Sequence, residues 1–246
     1  MRPAVFVLAV LSLNAQVNFY SREKEEALGA QLAAEVTKNT TPLDSAAARA
    51  YIEGLTRRLA AALPDQTFHF TFTLVTDDLD GRTHEPKALP GGYIFVPAKL
   101  LLTAGNEAEV AGMLAHAMVH ITARHYTRLL TKSELMDIGS RPVYPYNPRI
   151  PLAQLAMIRG MERQADYFAV QATASAGWDP AALAAYISRT QTDQSGSVSR
   201  VFDELPARRD RVAAIQAEMQ KLPPKNYTAN SDEFAQVQAE IRKFVR

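Results

Sequence analysis

Leu114-Ala115-His116-Ala117-Met118-Val119-His120-Ile121-Thr122-Ala123-Arg124-His125 is the stretch on which the reading of this chain turns. It sits in a strongly helical context, and Asn106 followed three residues later by Glu109 supplies a capping-box-like start upstream. The pattern predicts one helix from Glu107 to about Leu130. On it His116 and His120 stand four residues apart, so their rings share a face about one turn apart. Two imidazoles so placed can share a metal ion, although a packed or solvent-facing pair has the same spacing. His125, nine residues from His116, falls roughly half a rotation away and is expected to face away from the metal as a structural residue.

A second helix is predicted from about Leu152 to Ala176, ended by Gly177 as a C-cap with Pro180 beyond. It carries Glu162-Arg163-Gln164-Ala165-Asp166. Glu162 and Asp166 are also one turn apart, so one carboxylate can ligate metal while the other hydrogen-bonds a ligand and fixes its orientation. An exposed helix face is the plainer alternative. Two His and one Glu leave a fourth position for water, the catalytic rather than the structural pattern of zinc.

Outward from these helices the chain reads as α+β and predominantly α-helical. Helices are predicted over Arg22 to Val36, capped by Ser21, from near Asp44 to Pro64, and near Ala181–Thr190, Arg208–Lys221 and Ser231–Val245. Alternation in Phe68-His69-Phe70-Thr71-Phe72-Thr73-Leu74 predicts a half-buried strand. In Ala88-Leu89-Pro90-Gly91-Gly92-Tyr93-Ile94-Phe95-Val96 a proline and two glycines interrupt a strand signal, which predicts an edge strand. Pro142 to Pro151 is proline-rich and is expected to form a loop over or beside the site, with Tyr144 and Tyr146 as candidate oxyanion donors or plain surface aromatics.

Composition narrows the classes further. With 246 residues, 47% of them apolar, the chain should bury one substantial core, and residues 16–246 are expected to form a single domain. Lys plus Arg number 27 against 26 acidic residues, with no basic run, which argues against nucleic acid as a partner. Arg2, the apolar run Ala4 to Leu13 and then Ala15 have the architecture of a signal peptide over residues 1–15, which implies an exported chain, periplasmic or secreted. The run is about half the ~20 residues a bilayer span needs, so no transmembrane segment is expected in the mature chain. There is no cysteine, so stability must come from packing or metal.

The segments Leu89 to Val96, Leu114 to His125 and Glu162 to Asp166 together resemble the zinc metallopeptidase family of HtpX and the CaaX prenyl endopeptidases, most closely its soluble, exported, cell-envelope members. The likeness runs from about Asn18 to Lys221. It implies a zincin-like fold with one zinc ion held by His116, His120 and Glu162, with Asp166 behind a ligand. It also implies that substrate lies by strand addition along Pro90, Gly91, Gly92, Tyr93 and Ile94, and that Arg211 stands near the site. Unfolded or misassembled exported proteins would be its substrates.

The sequence departs from that family in two places. Leu205 stands before Pro206 where the family usually shows histidine. Ala117 stands where the HExxH motif has the glutamate that takes a proton from the attacking water and delivers it to the leaving amine. Alanine can do neither. General acid–base catalysis contributes roughly 10²–10⁴ in rate, so weak peptidase activity is expected, or none, which would leave a zinc-binding peptide-binding or chaperone-like pseudopeptidase. Glu85 is a candidate substitute base, with an exposed loop carboxylate as the alternative.

Overall fold

The computed structural model describes residues 18–79, 83–135, 152–193 and 203–245. The expected signal segment 1–15, the proline-rich stretch 142–151 and its tyrosines Tyr144 and Tyr146 lie outside these. In chain order the elements are α1 (Arg22–Lys38), α2 (Ala46–Ala60), β1 (Thr71–Val75), β2 (Lys87–Ala88), β3 (Tyr93–Pro97) and α3 (Ala98–Thr103). Then follow α4 (Glu107–Thr122), α5 (His125–Leu135), α6 (Leu152–Ser175), α7 (Ala181–Thr190), α8 (Arg208–Met219) and α9 (Asp232–Ile241). The architecture is α+β and mostly helical.

Helix α4 is the axis of the fold. It is apolar on nearly every side, and a helix of that kind must be covered all round. Every residue from Glu107 to Val119 is buried, and α2, α6 and α7 pack against it. His120 is the first residue along α4 to reach solvent, which marks where the cleft opens.

The start of α4 is held by polar contacts. Asn106 Oδ1 accepts from the Glu109 N–H at 2.9 Å, as an N-cap should. The Glu109 carboxylate closes the box one residue early, on the Gly105 N–H at 2.7 Å, and also takes the Arg189 guanidinium. The Glu107 carboxylate is buried, yet it accepts from Tyr51 Oη at 2.9 Å, from Trp178 Nε1 at 2.7 Å and from Ser231 Oγ. A buried carboxylate this well supplied with donors, at a helix N-terminus, is tolerated and ties α2 and the chain after α6 and before α9 to one point.

The sheet corrects one expectation. Its strand order is β1-β3-β2, with β3 parallel to β1 from Thr71↔Tyr93 to Val75↔Pro97 and antiparallel to β2 at Lys87↔Phe95 and Ala88↔Ile94. Tyr93–Pro97 is therefore the central strand, and the edges are β1 and β2. The proline and glycines do not thin out an edge; they make the hairpin turn. Gly91 and Gly92 have φ of 73° and 104°, values that suit glycine, and a Cβ at Gly92 would stand 1.9 Å from the His69 carbonyl oxygen. Phe68, Phe70, Phe72 and Leu74 do face the core together, although the ladder begins only at Thr71.

The single long helix predicted from Glu107 to about Leu130 is two helices. The chain breaks at Arg124, a non-glycine residue at φ 56°. Arg124 Nε donates to Glu25 Oε2 and its Nη2 to the Tyr20 carbonyl, both at 2.5 Å, and Thr127 Oγ1 donates to Glu25 Oε1 at 3.3 Å. A buried carboxylate from α1, with no helical partner in sequence, thus holds the turn between α4 and α5.

Candidate metal centre

On α4 the His116 and His120 rings converge, with Nε2 to Nε2 at 3.0 Å. Glu162 on α6 faces both: its Oε2 is 3.4 Å from His116 Nε2 and its Oε1 3.5 Å from His120 Nε2. One ligand atom from each of the three lies within 4.8 Å of the others. Glu162 Oε2 is buried without a hydrogen-bond partner. Buried carboxylate oxygens are rarely left so, and a cation between the two imidazoles would satisfy it. Two nitrogens and a carboxylate oxygen are donors that suit zinc.

Behind His116 lies an ionic chain. Its Nδ1 is 2.9 Å from Asp166 Oδ1, close but off the N–H direction, so this is an ion contact more than an aligned hydrogen bond. Asp166 receives Arg211 in a fork, Nε to Oδ2 and Nη2 to Oδ1, each 2.8 Å. Arg211, from α8, is 0% exposed. Its Nη1 also donates to Glu85 Oε1 at 3.2 Å and to Gln191 Oε1 at 3.0 Å. Glu85 is therefore engaged by the guanidinium two links behind the metal-facing nitrogen. The candidate substitute base is thus a carboxylate held by Arg211 and absent from the cleft lining.

Behind His120 the support is neutral. His120 Nδ1 is 3.2 Å from His125 Nδ1, and His125 Nε2 is 3.0 Å from Gln164 Oε1. A ring nitrogen facing an amide oxygen must carry the proton, so His125 Nδ1 accepts, His120 Nδ1 donates, and the His120 Nε2 lone pair is left toward His116 and Glu162. The expectation that His125 faces away assumed an unbroken helix; the Arg124 turn brings it against His120 instead. Gln164 escaped the sequence reading too, although its place between Glu162 and Asp166 could have flagged it.

The electrostatics follow this division. Burial would depress His116, but the Asp166 and Glu162 carboxylates outweigh it and hold the imidazole up at about 10. Burial pushes His120 down to about 3 and His125 down to about 4. Burial alone would raise Glu162, yet the His120 and His116 rings, followed by Arg211, bring it down to about 2. Asp166, despite burial, is held well below the usual carboxylate range by Arg211 and then His116. With Arg211 shared between Asp166 and Glu85, the Asp166 and Glu162 carboxylates together favour a proton on His116 in the metal-free chain. A cation held by His116, His120 and Glu162 would meet that charge in place of the proton.

Ala117 is almost wholly enclosed, among the core side chains of α4. The cleft is lined by His120, Glu162 and His125, by Met161 and Ile158 of α6, by Glu25, and by Ala88, Leu89 and Pro90. Of the residues expected to hold substrate, Pro90 lines the cleft. Gly91 and Gly92 are packed into the turn against α1 and residues 69–70, Ile94 is flanked by strands on both sides, and Tyr93 pairs with Thr71 while its carbonyl accepts from the Leu89 N–H. The cleft-side edge is β2.

Residues 46–219 match peptidase family M48. The chain is 26% identical over 204 residues to a putative beta-barrel assembly-enhancing protease of Vibrio cholerae, which covers 74% of this chain and 41% of that protein. It is 27% identical over 169 residues to the beta-barrel assembly-enhancing protease of Yersinia pestis, 61% of this chain and 34% of that protein. Over 99 residues it is 35% identical to mitochondrial metalloendopeptidase OMA1 of Arabidopsis thaliana, 37% of this chain and 20% of that protein. The chain thus spans well under half the length of these relatives.

Proposed function

The chain belongs to peptidase family M48, a family of zinc metallopeptidases, and from that premise we propose that it holds one zinc ion through His116, His120 and Glu162. It binds unfolded or misassembled exported proteins along the β2 edge, and any peptidase activity is weak because Ala117 replaces the general base. The observation that carries this reading is the convergence of two imidazoles and a buried carboxylate oxygen that has no hydrogen-bond partner. Zinc, when bound, supplies Lewis acidity that acidifies water and polarises a scissile carbonyl.

The chain's own residues do the rest. Asp166, held by Arg211, orients His116 and keeps its electron density toward the metal side. His125 and Gln164 keep the proton of His120 on Nδ1. An extended peptide added beside Lys87 and Ala88 would pair its backbone with the sheet and set its side chains alternately toward the cleft. Among the described cleft residues the one carboxylate besides Glu162 is Glu25, which Arg124 and Thr127 hold, so the second reading is a zinc-binding pseudopeptidase that holds peptides as a chaperone-like module.

Both readings place the chain outside the cytoplasm, as a single domain over residues 16–246 after removal of residues 1–15. Support for export is the N-terminal segment alone; N-terminal sequencing of the secreted product reads the cleavage site directly. Among the described residues no helix is long and apolar enough to cross a membrane. The deciding experiment is casein cleavage by the zinc-loaded chain with His116→Ala as control, alongside zinc content. One zinc per native chain and none in the variant is expected. Cleavage by the native chain alone makes it a peptidase; zinc binding without cleavage favours the pseudopeptidase; no zinc in the native chain sinks both.

A further inference from the structure

Next to the metal cleft, α5 and α6 diverge around a second cavity of about 530 Å³. Its wall carries Arg128, Lys132 and Leu135 from α5 and Met157, Met161 and Gln164 from α6. Met161 lines both spaces, and Gln164 reaches from this wall to His125, so cavity and cleft adjoin. Arg128 and Lys132 are one helical turn apart. Among the described residues neither has a carboxylate within ion-pair distance, and Glu134, on the same helix, is taken by Tyr20 Oη at 3.0 Å. Arg128 Nη1 donates to the Ala123 carbonyl at 3.2 Å, while its Nε is buried with no acceptor at all. A buried donor left unmade is costly, and a planar guanidinium is the group best matched to a carboxylate.

We propose that this cavity is a subsite for the acidic side chain of a peptide held in the adjoining cleft. Arg128 and Lys132 receive the carboxylate, and Leu135, Met157 and Met161 cover the apolar part of the segment. An acidic side chain fits better than a chain terminus, because the cations stand in file along α5 and the apolar wall continues past them to Leu135. The proposal rests on the reading of the cleft as a peptide site, and it gives that site a sequence preference.

The test follows the Arg128 Nε–H resonance of the full, zinc-loaded chain by heteronuclear NMR, assigned through its loss in Arg128→Lys. The probes are N-acetyl-aspartate amide, N-acetyl-asparagine amide and N-acetyl-leucine free acid. A saturable shift at least about tenfold tighter for the aspartate compound than for the asparagine one is expected, in line with one recovered charge-assisted bond. Equal response to the asparagine compound, no response to any probe, or response to the leucine free acid alone overturns the proposal. Fluorescence anisotropy with an unfolded peptide carrying Asp or Asn then separates the two ideas. Arg128→Gln with Lys132→Gln should reduce binding of the Asp peptide to the level of the Asn peptide. If the aspartate probe saturates but neither peptide binds, the cleft reading fails and the subsite stands; if both peptides bind equally, the subsite fails and the cleft reading stands.

Discussion

His116 and His120 sit one turn apart on the same helix, yet what stands behind each ring differs in kind. Behind His116 is a buried ionic chain through Asp166 and Arg211 to Glu85 and Gln191, drawn from α6, α8 and the segments before β2 and after α7. Behind His120 is a neutral pair, His125 and Gln164, beside the open cleft. The ionic side sets the charge of the centre and binds four parts of the chain together. The neutral side sets a tautomer and leaves room for a ligand.

The largest expected effect comes from restoring a carboxylate between the two histidines in sequence, at Ala117, which belongs to neither side. Ala117→Glu should raise casein hydrolysis by roughly 10²–10⁴-fold if the cleft is otherwise competent. A folded, zinc-loaded variant with no gain would show that the groove has diverged along with the base. On the ionic side, Arg211→Met leaves Asp166 buried without its cation. It should cost about 3–5 kcal/mol in urea unfolding of the metal-free chain; a loss below about 1 kcal/mol would mean Asp166 finds another partner. His125→Phe removes the acceptor for His120 Nδ1 without touching charge, and should weaken zinc binding about 10–100-fold. Unchanged affinity in a zinc competition assay would break the assignment of that pair.

The comparison can also be broken by pH, and here the two sides have opposite signs. His116 is raised from 6.5 to about 10 on folding, so its stabilisation is complete below pH 6.5 and lost as pH rises toward 10. His120 and His125 are lowered from 6.5 to about 3 and about 4, so their contribution is complete above pH 6.5 and lost as pH falls through those values. Urea midpoints of the metal-free chain should therefore peak near pH 6.5. Zinc should flatten the alkaline limb, because the metal replaces the His116 proton. A metal-free maximum well above that pH would show that Asp166 and Glu162 do not hold a proton on His116.

How much of this was legible in the chain depends on the range of the interaction involved. Helix spacing alone put His116 and His120 on one face and Glu162 and Asp166 on another, because a local period of 3.6 needs no knowledge of the fold. The alternation from Phe68 to Leu74 likewise announced which side chains reach the core. The capping of α4 by Asn106 was also local, although the Glu109 carboxylate found Gly105 and Arg189 instead of closing the usual box.

Where the reading went astray, a distant residue had decided the local structure. The break at Arg124 depends on a carboxylate from α1, ninety-nine positions away in sequence, and it carries His125 from the far side of a helix to the back of His120. The promotion of Tyr93–Pro97 from edge to centre depends on β1 and β2 both choosing it as partner, which pairing rules within a short stretch do not reveal. Glu85 was taken for a candidate base because nothing nearby in sequence shows that Arg211 reaches it from the other end of the chain. The sequence by itself determined the residue types of the candidate ligands, their helical spacing and the alanine at position 117, since those are properties of neighbours. Only the tertiary structure decided which side of the centre is ionic, which is neutral and which strand faces the cleft, since buried charges and strand edges are settled by partners brought together through folding.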